Sequence, residues 1–207
     1  MKKKLKIKIC GMREFSNISS ISMLKPDFMG FIFYRNSPRF VGENFIAPNL
    51  GKISKVGVFV NASEEEILRK SFENRIKKVQ LHGDESPNFC EKISRKGLKI
   101  IKAFQIKDSF SFEKVKAYTD ICPYFLFDTN TPNFGGSGKK FLWSKLSEYK
   151  EPTPFFLSGG ISADDCSPIL SISHSKLFCI DMNSRFEEKP AIKNKILFKS
   201  FIKKIRK

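Results

Sequence analysis

Phe28-Met29-Gly30-Phe31-Ile32-Phe33 is the stretch that decides the fold of this chain. Every residue in it is apolar or glycine, with no polar residue alternating. A strand with one face in water alternates, whereas a strand covered on both faces does not. A parallel sheet with helices packed on it is the arrangement that covers both faces. Working outward, seven more runs of this character appear: Leu5–Cys10, Lys55–Val60, Val79–Leu81, Ile100–Phe104, Tyr124–Phe127, Phe155–Leu157 and Leu177–Ile180. The segments between and after them predict helices over Glu14–Met23, Glu43–Leu50, Glu64–Arg75, Pro87–Ser94, Phe110–Ala117, Lys140–Tyr149, Ala163–Ser171 and Ala191–Ile205. Strands alternating with helices indicate crossover units. The expectation is an α/β fold: a single-domain (β/α)8 TIM barrel over residues 1–207, shorter than the ~250 residues typical of that fold. An open doubly wound sheet, with fewer strands and a switch-point crevice, is the other arrangement such alternation allows.

The composition excludes several classes. With 41% hydrophobic residues and 22 Phe, the chain can fill a core and is not generally disordered. No apolar run approaches the ~18 residues of a membrane span, and Met1-Lys2-Lys3-Lys4 is not a secretory signal. The net charge of +17 would suit nucleic acid or another anion. However, 13 of those charges lie in two segments that contain no acid, residues 1–8 and 189–207, leaving +4 for the body. The cations are also 30 Lys against 8 Arg, whereas base and phosphate forks favour Arg. The charged ends therefore read as a solvated face. Cys10, Cys90, Cys122, Cys166 and Cys179 are odd in number and form no CxxC pair, which predicts reduced thiols in the cytoplasm and no zinc site.

Chemistry in a parallel barrel sits where strands end. That rule selects Cys10, Arg39, Asn61, His82, Gln105, Asp128, Ser158 and the segment Asp181–Arg185. Gly159-Gly160 and Gly135-Gly136-Ser137-Gly138 follow strands and precede helices, a setting that lets backbone N–H groups approach a phosphate. A thiolate at Cys10 is a competent base, a carboxylic acid at Asp128 a competent proton donor, and Arg39 could fork a carboxylate.

Taken in order, these segments resemble the phosphoribosylanthranilate isomerase family of tryptophan biosynthesis. The matching pieces are Lys8-Ile9-Cys10-Gly11-Met12, Pro26–Phe33, Ser37-Pro38-Arg39-Phe40-Val41 and Lys55–Asn61. Val79-Gln80-Leu81-His82-Gly83-Asp84-Glu85, Phe127-Asp128-Thr129, Phe134–Gly138 with Phe141 and Trp143, and Leu157–Ile161 continue the series. The resemblance implies an Amadori rearrangement of N-(5-phosphoribosyl)anthranilate with Cys10 as general base and Asp128 as general acid. It implies Arg39 at the anthranilate carboxylate, and Gly136, Ser137, Gly138, Gly159 and Gly160 around the phosphate. His82, Asn183 and Ser184 complete the expected substrate-binding set. The implied enzyme uses no metal or organic cofactor and binds a small molecule rather than a membrane or nucleic acid. It is expected to be a cytoplasmic monomer or homodimer. One departure stands out: Asp181-Met182-Asn183-Ser184-Arg185 occupies the place of a typical Asp-Val-Ser-Ser-Gly, so that Arg185 replaces the glycine expected at the phosphate. Two other readings remain beside this one. A histidine-biosynthesis sugar-phosphate isomerase would carry Asp rather than Cys10, and a degenerate barrel could bind nucleic acid through its basic ends.

Overall fold

The computed structural model of the protein describes residues 5–128 and 143–206. Eight parallel strands close into a barrel in chain order. They are β1 (Lys6–Ile9), β2 (Phe28–Ile32), β3 (Ser54–Phe59), β4 (Lys78–Leu81), β5 (Lys99–Gln105), β6 (Tyr124–Asp128), β7 (Phe155–Ser158) and β8 (Leu177–Met182). Each coincides with one of the eight expected runs to within about two residues. Closure is made by β1 against β8, with Lys8 beside Asp181. Outside the barrel lie α1 (Phe15–Ser22), α2 (Glu64–Glu73), α3 (Pro87–Arg95), α4 (Cys166–Leu170) and α5 (Lys195–Ile205). A short antiparallel ribbon, β9 (Glu187–Lys189) and β10 (Ile192–Lys193), precedes α5. No described helix is long and apolar enough to cross a membrane.

Two apolar regions flank the barrel wall. Ile7, Ile9, Phe31, Phe59 and Phe127 face outward to the helices. Phe28, Val56, Ile101, Leu126, Phe156 and Cys179 fill the interior. The rings of Phe28 and Phe156, from β2 and β7, lie 5.3 Å apart, a contact possible only inside.

Several expected helices are corrected. Glu43–Leu50 is not helical. Pro48 disfavours helical backbone at the residue before it, and α2 takes over the polar groups that a helix would have paired. Asn74 Oδ1 accepts the Ala47 N–H at 2.7 Å, and the Lys70 ammonium donates to the Glu43 carbonyl. Phe110–Ala117 forms a 3-10 helix over Phe112–Tyr118. Ala163–Ser171 divides into a 3-10 turn and α4, whereas the described part of Lys140–Tyr149 is helical, α-helical at Trp143 and Ser144 and 3-10 over Lys145–Glu148. The last helix starts at Lys195 rather than Ala191. Asn17 clamps the Lys193 backbone from both sides at 2.9 Å, and Asn194 caps α5 through the Ile196 and Leu197 N–H groups.

The terminal cations are not all a solvated face, a second correction. Lys8 and Lys193 are buried, while Lys6 and Arg206 share the Asp27 carboxylate at 2.8 and 3.2 Å.

Candidate active site

Side chains two apart on a strand share a face. Lys8, Gln80, Leu126, Phe156 and Asp181 point into the barrel. Two residues further along the same strands come Cys10, His82, Asp128, Ser158 and Asn183, which form the next layer at the C-terminal mouth. They surround a cavity of about 210 Å³. Among the described residues, the candidates Cys10, Arg39, His82, Asp128, Gly159, Gly160, Asn183 and Ser184 all line it. Gly136, Ser137 and Gly138 lie outside the described residues.

Cys10 continues β1 past its assigned end, donating its N–H to Met182 O at 2.9 Å. The sulfur is seated against β2 because Gly30 has no side chain. A Cβ at position 30 would lie 2.7 Å from Cys10 Sγ and 3.2 Å from its Cα. Burial pushes the Cys10 thiol above its ordinary pKa. Lys8, beneath it, and Lys193 pull the other way, while Asp181 adds to the rise. Alkylation of the Cys10 peptide by iodoacetamide is therefore expected to climb with pH through a midpoint above the ~8.5 of a free thiol. Mass spectrometry of the labelled peptide at several pH values reads this directly, and a midpoint below that value would contradict the assignment.

Lys8 Nζ donates at 2.8 Å to both Gln80 Oε1 and Asp181 Oδ2. Burial alone would drive its proton off, but Asp181 and Cys10 outweigh burial and hold Lys8 above the ordinary lysine value. Gln80 Nε2 lies 2.7 Å from His82 Nδ1, and His82 Nε2 lies 3.5 Å from Asp128 Oδ2. The turn that carries His82 is fixed from behind. Glu85 accepts the Gly83 and Asn61 N–H groups at 2.9 Å each, and the buried Lys102 ammonium meets Glu85 at 3.0 Å and Gly83 O at 2.7 Å.

Arg39 reaches the mouth from the loop after β2. Its Nε and Nη2 groups fork Glu187, with Nε to Oε1 at 2.9 Å and Nη2 to Oε2 at 2.5 Å. Lys193 Nζ bridges Glu187 and Asn183 Oδ1 at 2.5 Å each. Burial would raise the Glu187 carboxyl, yet hydrogen bonds from Arg39 and Lys193 dominate and hold it below the usual carboxylate range. The ribbon turn keeps Ala191 at φ +69° and delivers its N–H to Glu187 at 3.0 Å. Arg39 is thus oriented by its own protein, and Nη1 with the second Nη2 proton stays available to a ligand.

Gly159 and Gly160 adopt φ of +99° and +60°, a conformation that strains any side chain. Arg185 sits exposed in a 3-10 turn, Ser184–Phe186, and is absent from the residues at positive φ. The backbone there does not require the glycine expected at that position.

Lys8, Gln80, Glu187 and Lys193 also meet the site, and the strand-end rule does not select them. A signal for the first two exists. Ile7-Lys8-Ile9 and Val79-Gln80-Leu81 each place one polar residue amid apolar neighbours on a covered strand, where it can only face the interior. Glu187 and Lys193 have no comparable signal, because they lie in irregular chain after the last barrel strand.

A family model described as N-(5'phosphoribosyl)anthranilate (PRA) isomerase matches residues 7–204. The N-(5'-phosphoribosyl)anthranilate isomerase of Parabacteroides distasonis is 43% identical over 204 residues, spanning 96% of this chain and 92% of the relative. The enzyme of the same name from Phocaeicola vulgatus is 41% identical over 201 residues, 97% of each chain. Among solved structures, phosphoribosyl anthranilate isomerase from Thermotoga maritima superposes with a TM-score of 0.80 at 28% identity, covering 97% of this chain and 98% of that one. A structure of phosphoribosyl anthranilate isomerase in complex with reduced 1-(o-carboxyphenylamino)-1-deoxyribulose 5-phosphate gives 0.78 at 25% identity, with the same coverage.

Proposed function

This chain belongs to the N-(5'-phosphoribosyl)anthranilate isomerase family, and from that premise we propose how its residues divide the chemistry. The reaction is the aldose–ketose isomerisation of tryptophan biosynthesis, an Amadori rearrangement of N-(5'-phosphoribosyl)anthranilate to 1-(2-carboxyphenylamino)-1-deoxyribulose 5-phosphate. The observation that carries the division of roles is the meeting of a thiol from β1, a carboxyl from β6 and a guanidinium from the loop after β2 in one cavity.

Asp128 gives its proton to the furanose ring oxygen as the C1–O bond breaks, and the anilino nitrogen supplies the electron pair that forms the iminium. The positive nitrogen acidifies the C2–H bond, and the Cys10 thiolate removes that proton to give the enolamine. Protonation at C1 and loss of the enol O–H proton yield the ketone. Return of the thiol proton to C1, with the enol proton passing to Asp128, restores both groups without outside donors. The open donors of Arg39 take the anthranilate carboxylate. The N–H groups around Gly159-Gly160, with Asn183 and Ser184, take the phosphate, and Gly136, Ser137 and Gly138 belong to the same proposed phosphate site. His82 stands beside the acid at the substrate's edge. A cytoplasmic location fits five cysteines that are all free. A single barrel domain acting as a monomer or homodimer completes this reading.

Purified protein is expected to convert N-(5'-phosphoribosyl)anthranilate, followed by chromatography of the product, and no turnover would overturn the reading. Arg39→Ala is expected to raise KM about 10- to 100-fold with a smaller change in kcat, since a hydrogen bond to a charged group contributes about 1.5–3 kcal/mol. An unchanged KM would remove Arg39 from the carboxylate.

A further inference from the structure

We propose that Gln80 is a positioning residue that fixes the tautomer of His82 and, through it, the face that His82 presents to Asp128. The inference rests on the reading of Asp128 as the acid.

The chain of reasoning begins at Lys8. An ammonium group has donors only, so the Gln80 atom 2.8 Å from Lys8 Nζ must be the amide oxygen. That contact settles which way the amide points, a choice often left open in structures. The Gln80 NH2 group then faces His82 Nδ1 at 2.7 Å. An NH2 group only donates, so Nδ1 must accept and carries no proton. The proton of the imidazole is therefore on Nε2, which faces Asp128 Oδ2 at 3.5 Å. That distance is longer than an ordinary hydrogen bond, so in this geometry the N–H orients the carboxyl more than it binds it. With one oxygen turned to His82, the carboxyl delivers its proton from a defined orientation. Once Asp128 is a carboxylate, the same N–H is placed to stabilise it.

Lys8 joins the two halves of the site. Two of its donors go to Gln80 and Asp181, and its charge acts on Cys10. One buried cation thus supports the base directly and orients the neighbour of the acid through a single glutamine. No member of this relay needs to touch substrate, so Gln80 acts through His82 rather than on the reacting atoms.

Nitrogen NMR of 15N-histidine-labelled protein tests the proposal, because the chain has only two histidines, His82 and His174. His174 also accepts at Nδ1, from the Lys176 N–H at 3.1 Å, so a His174→Gln variant assigns the pair. At neutral pH the wild-type His82 is expected in the Nε2–H form. Gln80→Glu puts an acceptor in place of the amide nitrogen and is expected to draw a proton onto Nδ1. Its kcat should fall at least tenfold, below the ~10²–10⁴-fold that a positioned proton donor supplies, with KM within about threefold. Gln80→Met, which removes the amide altogether, is expected to lose the single tautomer and to lower kcat in the same direction. If Gln80→Glu does not fold, the wild-type spectrum and Gln80→Met decide. Nδ1–H or doubly protonated His82 in the wild type would overturn the proposal, as would an altered tautomer with unchanged kcat. A wild-type turnover rate in Asp128→Asn would instead overturn the acid assignment, leaving the tautomer as measured.

Discussion

Cys10→Ser and Asp128→Asn are each expected to lower kcat by about 10²–10⁴-fold while the barrel stays folded, the range a positioned acid or base supplies. Neither change alters side-chain volume much. The serine fits the seat beside Gly30, and the asparagine keeps the planar outline facing His82. What changes is the proton. A serine hydroxyl ionises far less readily than a thiol and so offers no anionic base near neutral pH, and an amide cannot serve as an acid. The two variants should also fail at different steps. Without the carboxyl, ring opening becomes slow, so deuterium at C2 of the substrate should have little effect on the Asp128→Asn rate. Without the thiolate, proton removal from C2 becomes slow, and the same label should slow Cys10→Ser markedly. Near-wild-type turnover in both variants would sink the assignment, and matching isotope effects would sink the division of steps.

Lys8→Met is expected to destabilise the protein by about 3–5 kcal/mol near neutral pH, the cost of leaving one partner of a buried ion pair uncompensated. The Lys8 and Asp181 side chains are 0% and 5% exposed, so solvent cannot replace the lost contact. Burial already pushes the Asp181 carboxyl upward, and Lys8 is what opposes it. In the variant Asp181 should therefore take up a proton in the folded state more readily than in the unfolded chain. A group with a raised folded pKa favours the folded state most at low pH, and that contribution is lost as pH rises through the folded value. The deficit against wild type should thus shrink on acidification, which urea titrations at several pH values would read. Lys8→Met with Asp181→Leu should recover much of the stability, because replacing a buried pair by apolar groups is often neutral or better. It should not recover turnover, because the charge under Cys10 is still missing. A double variant as active as wild type would mean that Lys8 serves the fold alone.

Residues on strands were legible in the sequence, and residues held by tertiary contacts were not. Phe28–Phe33 announced a covered strand, and Cys10, His82 and Asp128 followed from being the last inward positions of theirs. Lys8 and Asp181 were equally legible by alternation, but a count of terminal charges hid Lys8 among solvated lysines. Glu43–Leu50 shows the opposite case. Its composition is compatible with a helix, yet its backbone partners come from Lys70 and Asn74, each 27 residues from the group it bonds, which no local pattern reports. Glu187 and Lys193 converge on Arg39 only because the ribbon folds back over the mouth. Spacing along the chain does not encode that return.

The close seat of Cys10 against Gly30 reaches beyond mechanism into inheritance. A methyl group at position 30 would overlap the sulfur, so the base and the bare backbone beside it form one evolutionary unit. Drift at position 30 is closed for as long as a sulfur stands at position 10. A lineage that gave up the thiol would relieve the tightest of these contacts and keep the backbone one, 3.2 Å from the Cα of residue 10, so only a small residue at position 30 could record that loss.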